Sequence, residues 1–365
     1  MIIQSKSAVI NGQLVNETWI EVAENLIRSV NGGVHPKPDQ LIEGVLIPGF
    51  VDIHCHGGGG KNFSALTPGE IHSVIETHRG HGTTSLIASL VSEPIEVLKA
   101  QIQRLKPFVE SGQIAGIHLE GPYLSHARCG AHDPKLLSNP DLSEIKELLE
   151  IADGAISMIT IAPELVGAPA AITYLSAAGV TVALGHTNGN FADAAIGTNA
   201  GATVITHFMN AMDKGLHDAS FASFVIADER LTLELILDGE HLPFKTAQEI
   251  YAAVGNRLIF VTDAMAAAGS VDGHYTIGKL PVSVENGVAR LETNGALAGS
   301  TLTMDRVFLN AINQLHLDLP EAVAATSTRA AKQVGLHNRG EISVGKRADL
   351  LSYNAQENTV TLINS

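Results

Sequence analysis

Short apolar runs rich in β-branched residues recur along the chain, separated by longer stretches with helical spacing. Eight of them stand out: 47–54 (IPGFVDIH), 83–90 (TTSLIASL), 114–120 (IAGIHLE), 156–163 (ISMITIAP), 181–186 (TVALGH), 203–208 (TVITHF), 231–239 (LTLELILDG) and 258–264 (LIFVTDA). Most are nearly continuous in hydrophobicity, the pattern of parallel strands buried on both faces. Segments 67–80, 93–112, 142–153 and 169–179 carry apolar residues at helical spacing between them. Alternating strand and helix predict βα units joined by right-handed crossovers. Eight in series favour closure into a (β/α)8 TIM barrel over an open doubly wound sheet.

The flanks follow a different period. Residues 1–46 hold short alternating stretches with turn signals at Asn11-Gly12 and Asn31-Gly32-Gly33, and no long helical segment. From about Gly340 the strand-like runs ADLLSYN and NTVTLIN return. The expectation is a small β-sandwich domain formed by both chain ends, 1–46 and 340–365, beside a barrel spanning 47–339. A β-hairpin insertion near 275–291 is expected around Glu285-Asn286-Gly287.

At 365 residues the chain suits an α/β barrel, which routinely exceeds 200 residues as one unit. The net charge of −15 argues against nucleic acid or an anionic membrane as the main partner, and leaves a small molecule held in a local pocket. Two cysteines, Cys55 and Cys129, do not make a disulfide framework, so a reducing cytoplasm is expected. The N-terminal residues lack the basic-then-apolar layout of a signal peptide. The apolar stretch 168–185 is interrupted by Pro169, Thr173, Ser176 and Gly179, so it does not read as a membrane span.

The chemistry lies at the ends of the expected strands. His54 and His56 form an H-x-H pair at the end of the first; residues i and i+2 on a strand point the same way. Glu120 ends the third strand, His186 the fifth and His207 the sixth, and Asp263 lies near the end of the eighth. In barrels these ends converge on one mouth. Imidazole and carboxylate are donors that zinc or iron accepts, so one or two divalent ions per chain are expected. A single histidine at a strand end is more often structural; six such donors together point to a metal centre. His118, two residues before Glu120, reads as a supporting or core residue, and Cys55 as a packed thiol. The Gly57–Gly60 run reads equally as a phosphate cradle or as a tight loop beside the metal.

The motifs PGFVDIHCHGGGG, HGTTSLIASL, GIHLEGPYLS followed by GAHDP, LGHTN, THFMNAM, LDGEHL, VTDAMAAAG and GALAGSTLTM cover nearly the whole barrel in order. In them the chain resembles the N-acetylglucosamine-6-phosphate deacetylases of the amidohydrolase superfamily. Other barrels of that superfamily, the dihydroorotases and hydantoinases, bridge two metals through a carboxylated lysine on the fourth strand. ISMITIAP has no lysine, which leaves Glu120 as the bridging carboxylate. The resemblance implies that Glu120, His186 and His207 hold the principal metal and that Asp263 is the catalytic acid/base. Some members replace the H-x-H pair and use one metal. Here His54 and His56 are kept, so a second site completed by Glu120 and Asp263 is available. His132 is implied to polarise the acetamide carbonyl. Ala131, His132, Asn210, Ala211, His241, Leu297, Ala298 and Gly299 fall where members contact the sugar. The resemblance also implies a homodimer and a role in amino sugar catabolism.

One departure stands out. Members carry an arginine in an R-E-P-G stretch after the N-A-M triplet, and it pairs with the substrate phosphate. This chain reads DKGLHDASF, with His217 in that place and Lys214 and Lys61 as possible substitutes. Arginine offers phosphate a permanent bidentate charge; histidine is charged only part of the time near neutrality. An unphosphorylated acetamido sugar is therefore an alternative substrate. N-Acetylgalactosamine 6-phosphate, which differs only at one sugar hydroxyl, is another, and a non-catalytic barrel acting as a binding protein is the distant alternative.

Overall fold

A computed structural model describes residues 1–65, 67–215 and 219–363. Eight parallel strands form one sheet in chain order: Phe50–Cys55, Thr83–Leu90, Gly116–Glu120, Ile156–Ile161, Thr181–Leu184, Val204–Ile205, Thr232–Ile236 and Leu258–Val261. All eight expected runs are represented. A helix follows each: Pro68–Gly80, Ile95–Glu110, Leu142–Ala152, Ala168–Ala177, Phe191–Ala200, Phe221–Ala227, Phe244–Val254 and Met304–Asn313. This is the (β/α)8 barrel. The last strand meets the first where the Asp263 N–H donates to His54 O (2.8 Å) and the His56 N–H to Ala264 O (2.8 Å). The buried Asp52 carboxylate reinforces the seam by accepting the Thr262 hydroxyl at 2.6 Å.

Two apolar layers flank the barrel wall. Val51, Ile53, Ile87, Met158, Ala183, Val204, Ile236, Ile259 and Val261 form an inner cluster, which Ala330 and Ala331 of a late helix also join. Phe50, Leu86, Leu119, Ile159 and Phe260 belong to the outer cluster with the helix faces. Burial on both faces explains the unbroken hydrophobicity of the strand text. The first strand departs from strict alternation. Its pairing with the second strand is irregular between Asp52 and Cys55. Val51 and Ile53 join the inner cluster, yet the next residue, His54, is the one that faces the metal-donor group. A bulge re-aims side chains in this way.

The chain ends meet in one six-stranded sheet ordered Thr359–Ile363, Leu350–Asn354, Gln40–Pro48, Ile2–Ile10, Gln13–Ala23, Leu26–Gly32. Neighbours are antiparallel except Ile2–Ile10 with Gln40–Pro48, which are parallel. Ile10 turns to Gln13 through Asn11 and Gly12, both at positive φ, as a two-residue hairpin requires. The sheet runs through Pro48, two residues past the expected boundary, because Gln40–Pro48 passes almost directly into the first barrel strand. The insertion is larger than a hairpin. It is a three-stranded meander, Gly273–Ile277, Leu280–Glu285 and Val288–Leu291, with the expected turn at Asn286-Gly287. No helix among the described residues is long and apolar enough to cross a membrane.

Arg257, just before the eighth strand, donates to the carbonyls of Val225 (3.0 Å), Asp228 (2.7 Å), Leu231 (3.3 Å) and Ile226. It thereby neutralises the C-terminal end of helix Phe221–Ala227 and ties it to the seventh strand. Replacing it with methionine keeps bulk but strips these carbonyls of a charged donor, at an expected cost of about 2–3 kcal/mol. The urea midpoint of Arg257→Met should fall with little change in slope. Arg257→Lys should recover only part, since one ammonium cannot span four carbonyls.

Candidate active site

Three strand ends break their regular conformation at the mouth. His186, His207 and Asp263 have φ of 46°, 28° and 48°, and Met209 and Ala211 of the N-A-M turn have 70° and 48°. Non-glycine residues in the left-handed region cost roughly 1–3 kcal/mol each and persist where the surroundings over-determine them. These turns carry the side chains off the strand direction and over the mouth.

Glu120 lies at the centre, 3% exposed. Its Oε1 is 3.0 Å from both His186 Nε2 and His207 Nε2, and its Oε2 is 3.1 Å from His56 Nε2 and 3.2 Å from His132 Nε2. His54 Nε2 is 3.2 Å from His56 Nε2 and 3.4 Å from Asp263 Oδ1, which is 3.5 Å from His56 Nε2. The donor atoms form two trios, His54–His56–Glu120 and Glu120–His186–His207, joined at the one carboxylate.

The hydrogen bonds settle which ring nitrogens carry protons. His186 Nδ1 faces the Arg128 carbonyl at 2.8 Å and must donate to it. In the neutral ring its Nε2 then presents a lone pair to Glu120 Oε1 and, at 3.1 Å, to His207 Nε2. His54 Nδ1 similarly donates to Glu234 Oε2 (3.1 Å), so its Nε2 lone pair meets its own trio with His56 and Glu120. Acceptors facing acceptors at 3 Å require a cation among them, either protons or a metal ion. The donor set therefore fits divalent metal. Without metal, protons take the place. Burial opposes charging His54, but Glu120 and Asp263 outweigh it and hold its pKa well above the ordinary value. His186 is raised, again against burial, chiefly by Glu120. Burial raises the Glu120 pKa, but the surrounding imidazoles, His54 first, pull it well below the carboxylate range.

His132 is set up differently. Its Nδ1 accepts the Ser92 N–H at 3.2 Å, which leaves Nε2–H as the donor beside Glu120. Burial pushes its pKa down to about 4, so it stays a neutral donor near pH 7.

A cavity of about 150 Å³ opens on this group. Its wall includes Glu120, Ala131, His132, His186, His207, Asn210, Ala211, His241, Asp263, Leu297 and Gly299, with Gly130, Ile236 and Ile277 in addition. Ala298 is absent from the wall. It is fully buried among Met265, Ile277 and Val282 beneath the meander, because its flanking residues take the turn positions that face the cavity. His241 Nδ1 lies 2.7 Å from Asp238 Oδ2, which fixes the ring. His217 lies outside the described residues. Lys214 is exposed, and Lys61 is tied to Glu70 at 3.0 Å.

The glycine run cannot cradle an anion. The N–H groups of Gly57, Gly59 and Gly60 are spent on the carbonyls of Ala264, Ala268 and Ala266. A Cβ on Gly57 would come within 2.4 Å of Lys61 O, so the run is a tight loop at the barrel seam. His118 is fully buried between Ser89 (3.0 Å) and Thr160 (2.9 Å), and Cys55 packs with its Sγ 3.2 Å from His78. Glu234 and Asp238 went unread in the sequence. A lone carboxylate inside the apolar run LTLELI was the available signal for the first.

A profile of the Amidohydrolase family matches residues 45–363. The N-acetylglucosamine-6-phosphate deacetylase of Vibrio furnissii is 30% identical over 333 residues, 89% of this chain and 83% of that one. The N-acetylgalactosamine-6-phosphate deacetylase of Escherichia coli O157:H7 is 30% identical over 352 residues, 93% and 92% of the two chains. Among solved structures, a mutant N-acetyl-D-glucosamine-6-phosphate deacetylase from Mycobacterium smegmatis in complex with N-acetyl-D-glucosamine-6-phosphate superposes with a TM-score of 0.96. It is 39% identical and covers 100% of this chain and 97% of that one.

Each trio should hold metal by its own ligands. His54→Ala should lower metal content from about two ions per chain to about one, read by elemental analysis; complete loss would make the H-x-H pair part of the principal site. Metal must also displace the protons that the raised pKa values of His54 and His186 retain. Apparent metal affinity should therefore fall as pH falls, with proton release on binding seen in weakly buffered titrations.

Proposed function

The chain belongs to the amidohydrolase family, and from that premise we propose that it is a divalent-metal-dependent deacetylase in amino sugar catabolism. It hydrolyses the acetamide of N-acetyl-D-glucosamine 6-phosphate to D-glucosamine 6-phosphate and acetate. The observation that carries this reading is the cavity in which a carboxylate, Asp263, and a neutral N–H donor, His132, both border a donor cluster centred on Glu120. An acetamide hydrolysis needs a base for water and a donor for the developing oxyanion, and these two residues supply them.

Glu120, His186 and His207 are assigned to the principal ion; His54, His56, Glu120 and Asp263 to a second, with zinc or iron suited to both sets. Divalent metal, when bound, supplies Lewis-acid polarisation of the carbonyl and acidifies water toward neutrality. Asp263 accepts a proton from the attacking water as its oxygen bonds to the acetamide carbon. His132 Nε2–H donates to the carbonyl oxygen as negative charge grows there. Asp263 then returns the proton to the nitrogen as the C–N bond breaks, leaving the free amine and acetic acid, which ionises to acetate. Asn210, Ala211, His241 and the 297–299 turn bound the sugar, and the Asp238 carboxylate holds the His241 ring in place at the cavity wall.

The galactosamine epimer is the second reading, favoured by relatives of that name at 30% and 32% identity. The cytoplasmic location and homodimeric assembly rest on the two-cysteine composition and the family resemblance respectively. An acetate-release screen over N-acetylated glucosamine, galactosamine and mannosamine, each with and without a 6-phosphate, tests the assignment. The phosphorylated gluco compound should show the highest kcat/KM. Equal values with and without phosphate would overturn the phosphate reading.

Asp263→Asn should keep the fold while kcat drops roughly 10²–10⁴-fold, because an amide fills the same space but cannot take the water's proton. Near-normal kcat would remove Asp263 from the reaction. His217 is proposed to supply part of the phosphate pairing. KM for the 6-phosphate should then rise as pH rises and the imidazolium is lost. His217→Arg should lower KM and flatten that dependence, since guanidinium stays charged.

A further inference from the structure

Glu234 is the only charged residue of its strand, Thr232–Ile236, and its side chain is wholly buried. An isolated carboxylate in such a place is costly unless a specific partner needs it. Its Oε2 has two partners. One is His54 Nδ1 at 3.1 Å, the other the backbone N–H of His207 at 3.2 Å. Its Oε1 has no hydrogen-bond partner among the described residues, so polar satisfaction of the barrel interior does not account for the carboxylate.

An ionised carboxylate only accepts hydrogen bonds. It therefore compels His54 to carry its proton on Nδ1 and to turn the Nε2 lone pair toward His56, Glu120 and Asp263. With an apolar residue at 234, no other acceptor among the described residues would hold that proton on Nδ1. An Nε2–H would instead donate to Glu120 or Asp263 and occupy the His54–His56–Glu120 trio. His54 is fully buried, with the His118 ring edge-on at 4.7 Å, so solvent cannot replace the lost acceptor. The same Oε2 steadies the backbone of His207, a member of the other trio. Charge points the same way: two divalent ions bring +4, against −2 from Glu120 and Asp263, and Glu234 supplies a third negative charge.

Resting on the two-ion reading above, we propose that Glu234 is a positioning residue that fixes the His54 tautomer and makes the His54–His56 half of the centre competent for a divalent ion. Carboxylates that orient metal-bound imidazoles typically change affinity 10–100-fold when lost.

The test is titration of the chelator-stripped full chain with Zn²⁺. The wild-type chain should show two binding events. Glu234→Gln keeps the shape and an acceptor but removes the charge, and should weaken one event by about 10–100-fold while leaving the other essentially unchanged. Two unchanged affinities, or two that fall together, overturn the inference. A wild-type chain with a single event overturns the two-ion reading and this inference with it. Should Glu234→Gln fail to fold, ¹⁵N imidazole spectra of the zinc-loaded wild type decide. The His54 proton must lie on Nδ1; a proton on Nε2 overturns the proposal.

Discussion

The mouth of this barrel is organised by an electrostatic conflict. Three buried carboxylates and a ring of imidazoles are packed so that lone pairs face one another across about 3 Å, with the Glu120 oxygens shared between two trios. In a low-dielectric interior such an arrangement is tolerable only with positive charge at its centre. Protons fill that need when metal is absent, which is why His54 and His186 hold theirs so firmly. Hydrogen bonds from outside the cluster, Arg128 O to His186 and Glu234 to His54, choose the tautomers that leave the inner nitrogens open. Metal affinity is thus prepared by residues that never touch the metal.

The surrounding scaffold has to hold that conflict in place. Left-handed backbone at His186, His207 and Asp263 is unfavourable by itself, and it persists because rigid elements converge there. The seam between first and last strands is fastened by Asp52 and Thr262 within four residues of the metal donors. The glycine loop presses against the same seam through its backbone. Closure of the sheet and assembly of the site are one structural event.

The wall of the cavity is completed by elements outside the regular barrel. The meander after the eighth strand contributes Ile277 to the cavity wall, and the turn that follows it contributes Leu297 and Gly299. His241 arrives from the loop after the seventh strand, backed by Asp238. In a chain of net charge −15, an anionic sugar phosphate needs local compensation. A divalent ion held by the two trios would provide part of it.

The eight strands were legible in the sequence because burial on both faces leaves a continuous apolar signature. The donors were legible because each sits where such a run ends. Glycine and asparagine marked the turns at Asn11-Gly12 and Asn286-Gly287 for the same local reason, the need for positive φ. Other features had no local signature. The bulge between Asp52 and Cys55, which re-aims His54, is a matter of pairing with a neighbouring strand. Ala298 turned away from the cavity because packing under the meander claimed it. The glycine run lost its anion-binding N–H groups to carbonyls some 200 residues downstream. Glu234 was visible only as an odd charge in an apolar run until folding set it against His54, 180 residues away. The sequence alone determined which groups stand at the strand ends, since periodicity is a property of neighbours along the chain. Which nitrogen holds a proton, and which carboxylate holds which histidine, only the tertiary structure decided, because those are contacts between residues that the chain itself keeps far apart.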